Sequence, residues 1–116
     1  MSNNKEYAFK GVEVNLTLKN IKVVYLNKEY TQYLGGRGLI NILLLEDLNE
    51  NINAFSEENE IIISAGLLVG TGFPGANRIN VGTKNPYNNG IGSASAAGDF
   101  AKKLKKAGFD FIKIIV

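Results

Sequence analysis

The chain contains no cysteine and no histidine. Zinc sites and iron–sulfur clusters are thereby excluded within it, because their usual ligands are missing. Serine–histidine and cysteine–histidine catalysis are excluded on the same ground. Redox chemistry would need an electron carrier brought in as a cofactor or supplied by another chain or domain. Proline is scarce, with two residues. No apolar run approaches the roughly 20 residues of a membrane span. The opening MSNNKEYAFK lacks the apolar core of a signal peptide, so a cytoplasmic location is the default. Charge is nearly balanced: 13 Lys and Arg against 11 Asp and Glu leave +2, too little to argue for nucleic acid.

What is present reads as one domain, or part of one, over residues 1–116. An apolar fraction of 45% and a charged fraction of 21% are ordinary for a globular protein. There is no internal repeat and no linker. The sequence stops within an apolar run, whereas domain ends are usually polar and exposed. The expectation is a fragment, or one piece of a larger assembly.

Most of the 13 glycines and both prolines fall in residues 66–98, GLLVGTGFPGANRINVGTKNPYNNGIGSASAAG. Two side chains there carry full charge, Arg78 and Lys84, both cationic. Glycine loses much backbone entropy on folding, so such a density needs a reason. Tight turns between strands are one. A backbone cradle for an anion such as phosphate, beside the two cations, is the other.

Periodicity places the elements. Residues 11–18 (GVEVNLTL) alternate as a half-buried strand, and residues 21–26 (IKVVYL) return, with Lys19-Asn20 as a two-residue turn. Asn27 caps a short helix over residues 28–34, ended by Gly35 and Gly36. A second helix spans residues 39–48 and buries Leu39, Ile42, Leu43 and Leu45. Residues 49–58 form a polar loop in which Ile52 and Phe55 tuck down. EIIISA (60–65) fits a strand buried on both faces. Residues 76–84 are strand-like, with Ile79 and Val81 on one face and Arg78 and Asn80 on the other. Residues 85–90 turn, and 91–95 form a further short strand. A helix over residues 99–107 buries Phe100, Leu104 and Ala107, and residues 109–116 form a last strand. The first eight residues are polar and loose.

Gly70, Gly72 and Gly75 spell G-x-G-x-x-G, but Pro74 lies inside the pattern and a strand follows it, against a dinucleotide site. Arg78 is either a surface ion-pair partner or a bidentate clamp for phosphate or carboxylate. The small-residue run from Gly92 to Gly98 is either a packing surface or an approach to the free N–H groups of the helix that follows. Arg37, in GGRG, is read as structural. The lysines at 102, 103, 105 and 106 are read as a solvated helix face, with an anion-facing patch as the alternative.

Seven ordered motifs carry a family likeness: VNLT (14–17), YLGGRGL (33–39), SEEN (56–59), GLLVGTGFPG (66–75), R-x-N-V-x-T-K-x-P (78–86), the glycine and small-residue run of 90–98, and LKKAGFDFIKI (104–114). The chain resembles the N-terminal domain of the aldehyde ferredoxin oxidoreductase family of tungsten, sometimes molybdenum, pterin enzymes. The resemblance implies an α+β fold, a mixed two-sheet domain with short helices. It implies a base for a tungsten bis-pterin (molybdopterin-type) cofactor with bridging magnesium, in the complete enzyme. It carries cofactor binding onto Arg78, Ser95, Ala96, Ala97 and Gly98, with no catalytic residue and no metal ligand in this chain. Ser95 stands where the family has an asparagine near the magnesium, and Ala97 where it has a glycine. The implied partners are the remaining domains or subunits of the enzyme and, indirectly, ferredoxin, with neither nucleic acid nor membrane. The implied reaction is aldehyde plus water to carboxylic acid, which this chain alone would not perform. A non-catalytic assembly module that keeps the fold without the cofactor is the alternative. A phosphate-binding domain unrelated to pterins is a third reading.

Overall fold

The computed structural model describes residues 7–48, 51–72, 74–88 and 90–116. Six strands form one mixed sheet: β1 (Tyr7–Asn15), β2 (Asn20–Asn27), β3 (Ile61–Ala65), β4 (Arg78–Lys84), β5 (Ile91–Ala97) and β6 (Phe111–Ile115), in the order β2-β1-β6-β3-β4-β5. The second sheet implied by the resemblance is not among the described residues. The β1–β2 hairpin and the β3-β4-β5 meander are joined because β6 enters between them, parallel to β1 and antiparallel to β3. Its apolar FIKII run suits that central place, and Phe111 is fully buried. Among the described residues two helices, α1 (Gly36–Asp47) and α2 (Phe100–Lys106), and one 3₁₀ helix (Lys28–Tyr33) complete the α+β fold.

The hairpin turn is longer than the spacing predicts. β1 ends at Asn15, whose side chain accepts the Leu18 N–H, and Lys19 rather than Asn20 takes positive φ. Tyr7 and Ala8 belong to β1; the loose start falls on residues 1–6, outside the described ones. Asn27 caps as expected, accepting the Glu29 N–H, but the turn it caps is 3₁₀.

α1 lies on one face of the sheet, against β3 and β4. It starts at Gly36, three residues before the expected point, and its buried stripe is Leu39, Ile40, Leu43 and Leu44. Leu45, expected inside, is 67% exposed. Gly82 explains the difference. A Cβ there would collide with Ile40, so the bare strand lets the helix seat on its Ile40–Leu44 edge. The Phe111 ring covers Gly11 in the same way. Phe9, Leu26 and Ile62 complete this core.

The opposite face is only partly covered. α2 and Val69 pack on Ala65, Ile79, Phe109 and Ile112 at one end. The side of α2 that packs is Ala101 and Leu104, while Phe100, expected inside, is half-exposed. β3 is buried on both faces only at its C-terminal end: Ile62 and Ser64 are inside on the α1 side and Ala65 on the other, but Ile61 is 42% exposed. In the polar loop Ile52 is buried as expected, and Phe55 is 85% exposed.

Candidate functional site

At the β4–β5 edge of the sheet lies a concavity of about 390 Å³ lined by Gly75, Asn77, Arg78, Ala97, Gly98 and Asp99. Antiparallel pairing sets Arg78 opposite Ala97 and Asn80 opposite Ser95, so all four share the α1 side of the sheet. Arg78 reaches diagonally across the strands. Its Nε and Nη2 both donate to Ser95 Oγ, at 3.3 and 2.9 Å. An arginine has five N–H donors in a planar fork. With one edge of the fork held by Ser95, the remaining donors stay fixed in direction, ready for an oxyanion.

The same contact decides what Ser95 can do. Its hydroxyl oxygen has two acceptor lone pairs, and both guanidinium donors converge on it. The O–H remains as a donor, which suits a phosphate oxygen better than a metal cation.

The glycine-rich segment from residue 66 onward reaches this edge through consecutive turns. The Val69 N–H donates to Gly66 O and the Thr71 N–H to Leu68 O. Asn77 Oδ1 accepts the Gly70 N–H at 3.3 Å and ties the loop to the start of β4. Gly75 has φ +74 with no atom within 4 Å of a notional Cβ, so conformation rather than crowding calls for glycine there. The turn reading of these glycines therefore holds for the loop itself. The GGRG segment comes in beside it: Gly35 bridges Gly66, the Gly36 N–H donates to Ser64 Oγ at 3.1 Å, and Gly36 lies against the Asn80 amide. Arg37 is exposed.

Of the residues singled out from the sequence, Arg78, Ala97 and Gly98 line the concavity and Ser95 braces Arg78. Ala96 does not share their face. It pairs with Ile79 and points to the other side. The small-residue run is not a helix cradle, because β5 continues to Ala97 and α2 begins only at Phe100. β5 is instead an edge strand, with outward backbone groups available between small side chains. Asn77 and Asp99 were missed. Asn77 was signalled by its place between the glycine loop and Arg78. Asp99 was read only as a helix-terminal residue, and it supplies the one carboxylate of the concavity. Lys84, the other cation of the stretch, is buried further along β4 and lies outside the concavity. Among the lysines of α2, Lys105 pairs with Asp110 at 2.7 Å, and Lys102, Lys103 and Lys106 are exposed.

A second charged group lies across the α1 side. Lys113 on β6 stands opposite Glu13 on β1 and pairs with Asp47, the last residue of α1, at 2.5 Å. Glu60, just before β3, shares a hydrogen bond with Asp47. Burial, then that bond, pushes the Glu60 carboxyl up to about 8, so it is protonated at neutral pH and donates to Asp47. Burial works against the Asp47 charge, but the bonds from Glu60 and Lys113 outweigh it and hold Asp47 below the usual carboxylate range. Burial likewise opposes the Lys113 charge, and Asp47 reverses it, raising Lys113. Glu60 Oε1 has no hydrogen-bond partner. This group is a clasp between α1, β3 and β6, remote in sequence from the concavity.

Among the described residues no group of three His, Cys, Asp or Glu side chains is placed to hold a metal ion, and the chain offers no thiol or imidazole.

The family model of the aldehyde ferredoxin oxidoreductase N-terminal domain matches residues 11–115. The chain belongs to this family. It is 40% identical over 104 residues to the tungsten-containing aldehyde ferredoxin oxidoreductase of Pyrococcus furiosus, covering 89% of this chain and 17% of the relative. It is 32% identical over 114 residues to the aliphatic sulfonate oxidoreductase, WOR-like subunit, of the same organism, covering 93% of this chain and 18% of that one. Among solved structures, the active site complex BamBC of benzoyl coenzyme A reductase, in complex with 1,5-dienoyl-CoA, superposes with a TM-score of 0.88 at 35% identity. The match covers 95% of this chain and 17% of that one. The chain thus spans under a fifth of the length of the relatives it matches. The names of these proteins refer to an aldehyde, an aliphatic sulfonate and benzoyl coenzyme A.

Proposed function

We propose that this chain is the cofactor-holding base of a tungsten pterin oxidoreductase, with the concavity at the β4–β5 edge as the seat of the cofactor's phosphate. The observation that carries this reading is the braced Arg78 fork at the mouth of a concavity built from small residues on an edge strand. The donor set fits the group. An anionic phosphate matches a guanidinium, a serine O–H and outward backbone groups. Tungsten would find no thiolate or imidazole in this chain, so the pterin part of the cofactor would have to hold it.

Arg78 would hold the phosphate, Ser95 would orient Arg78 and donate its O–H, and Ala97 and Gly98 would leave room beside the strand. Asp99 would offset the Arg78 charge, so the lining itself is neutral overall. A magnesium ion beside the phosphate would not take Ser95 as a ligand, since the Ser95 acceptors are engaged by Arg78. When bound, the pterin-held tungsten supplies two-electron exchange with the substrate; the residues described here bind and orient only. Substrate choice then lies outside this chain, in keeping with relatives named for three different substrates. Aldehyde oxidation with electrons passed to ferredoxin is the reaction we assign to the complete enzyme.

The test is the tungsten, molybdenum and pterin content of the protein purified from its own host, with the native mass of the particle. Near-stoichiometric metal and pterin in a particle much larger than 12.6 kDa is the expected result. A metal-free particle would favour the non-catalytic assembly module, and binding of simple nucleotides abolished by Arg78→Ala would favour a general phosphate site.

A further inference from the structure

The face of the sheet away from α1 is nearly free of charge. Phe111 covers Gly11 on the α1 side, so the alternate positions of β1 look the other way. Cross-strand pairing carries that face over the whole sheet: Val12 lies beside Val23, Val14 beside Ile21, and Ile61 opposite Ile114. Among the strand positions on this face Lys10 is the one charged side chain, and its ammonium sits 5.2 Å from the centre of the Phe109 ring. α2 shields only the end around Ala65, Ile79 and Ile112. Ile21 is left 71% exposed and Val23 45%. At the far margin a cleft of about 350 Å³ opens between Leu16, Ile61, Ile114 and Pro86, with Glu60 and Lys84 also in its lining. Six strands at about 4.8 Å spacing and some 17 Å of length give a face of roughly 400 Å². Most of the part left uncovered by α2 is apolar and continuous, comparable to the largest apolar patch of a typical monomer, which is often functional.

We infer that this face is the docking surface for the remaining polypeptide of the enzyme, an apolar element that lies flat on β2, β1 and β6 and inserts a side chain into the cleft beside Ile61. The inference rests on the reading just given. Two observations choose this occupant over a second copy or a charged partner. The relatives carry more than four-fifths of their length beyond the matched segment, so a large body of protein accompanies it. On the strands this face offers no carboxylate and one lysine, already engaged with an aromatic ring; Glu60 and Lys84 belong to the cleft at its margin.

The experiment places a benzoylphenylalanine photo-crosslinker at Ile21 and, separately, at Val23 in the protein expressed in its own host, and identifies the crosslinked peptides by mass spectrometry. Both side chains are solvent-exposed, so the fold tolerates the change. Crosslinks to a polypeptide of the aldehyde ferredoxin oxidoreductase family, in the same or a companion chain, are expected. Crosslinks chiefly to a second copy of residues 1–116, crosslinks only to an unrelated protein, or none at either position would overturn the proposal. A second arm uses Val23→Lys, expected to lower the fraction recovered in the large particle at least tenfold; an unchanged fraction also overturns it. Tungsten and pterin are assayed on the same samples. Metal in a particle whose Val23 crosslinks nothing would defeat the docking surface and leave the cofactor reading standing, and crosslinks in a metal-free particle would do the reverse.

Discussion

On the α1 side of the sheet, charged and hydroxyl groups surround the helix: Glu13, Lys113, Asp47 and Glu60 at one end, Arg78, Asn80 and Ser95 at the other. On the opposite side valine and isoleucine run across the strands with one lysine among them. An isolated domain would be expected to cover its apolar face and wet its polar one. Here the helix covers the more polar face and the more apolar one is largely bare. The difference teaches that the two faces answer to different demands. The polar face is largely finished within the chain, because Lys113 and Asp47 are paired and its core is closed by α1, with Arg78 left facing the concavity at its edge. The apolar face is finished only by something added.

Substitutions separate the two faces, starting with the largest expected effect. Gly11→Val places a side chain in the Phe111 ring and should cost about 3 kcal/mol or more, read as a fall in the urea midpoint. Val23→Lys on the bare face should stay within about 0.5 kcal/mol for the same chain. Equal losses would mean that both faces are closed in the isolated chain.

Leu104→Ala removes the main contact of α2 with the sheet and should cost about 2–3 kcal/mol in thermal or urea unfolding. Phe100→Ala, on the exposed side of α2, should cost under about 1 kcal/mol. The reverse ranking would place the α2 contact on the other side of the helix.

The clasp between Asp47, Glu60 and Lys113 sets a pH dependence. The folded carboxyl of Glu60 titrates near 8 against an ordinary value of 4.5. Between those values the folded chain holds a proton that the unfolded chain has lost. Stability is therefore greatest below about 4.5 as far as Glu60 is concerned, falls as pH rises towards 8, and levels off above it. Allowing for coupling to Asp47 and for solvent, the fall should be on the order of 2 kcal/mol. Unfolding midpoints at pH 5 and pH 9 measure it, and Glu60→Gln should flatten the slope. An unchanged slope in that variant would assign it to other groups.

The smallest effect is at the concavity. Ser95→Ala should lower stability by less than about 1 kcal/mol, since the Arg78 contact is exposed. It should still weaken pyrophosphate binding by loosening the Arg78 fork, seen by calorimetry, with Ser95→Thr restoring it.

Much of this was legible from residue order. The alternation in residues 11–18, the Asn27 cap and the Ile79/Val81 against Arg78/Asn80 split all follow from period-two or capping chemistry, which is local. What could not be read was long-range. The helix stripe slipped from Leu45 to Ile40 and Leu44 because Gly82, forty residues on, leaves a gap for Ile40. EIIISA looked like a fully buried strand because a bare apolar face and a covered one have the same composition. Arg78 stood out by its place after the glycine loop and Ser95 through the family likeness, but their bond depends on the β4–β5 register, which spacing alone does not fix. Ala96 fell on the wrong face for the same reason.

The most direct test of the central claim, that the polar edge holds the cofactor while the bare face holds protein, is the tungsten content per chain of Arg78→Ala purified from the native host as a particle of unchanged mass. A loss of tungsten and pterin of tenfold or more, with the particle intact, is the predicted result. Full tungsten and pterin in that particle would show that the Arg78 edge does not hold the cofactor and would contradict the account.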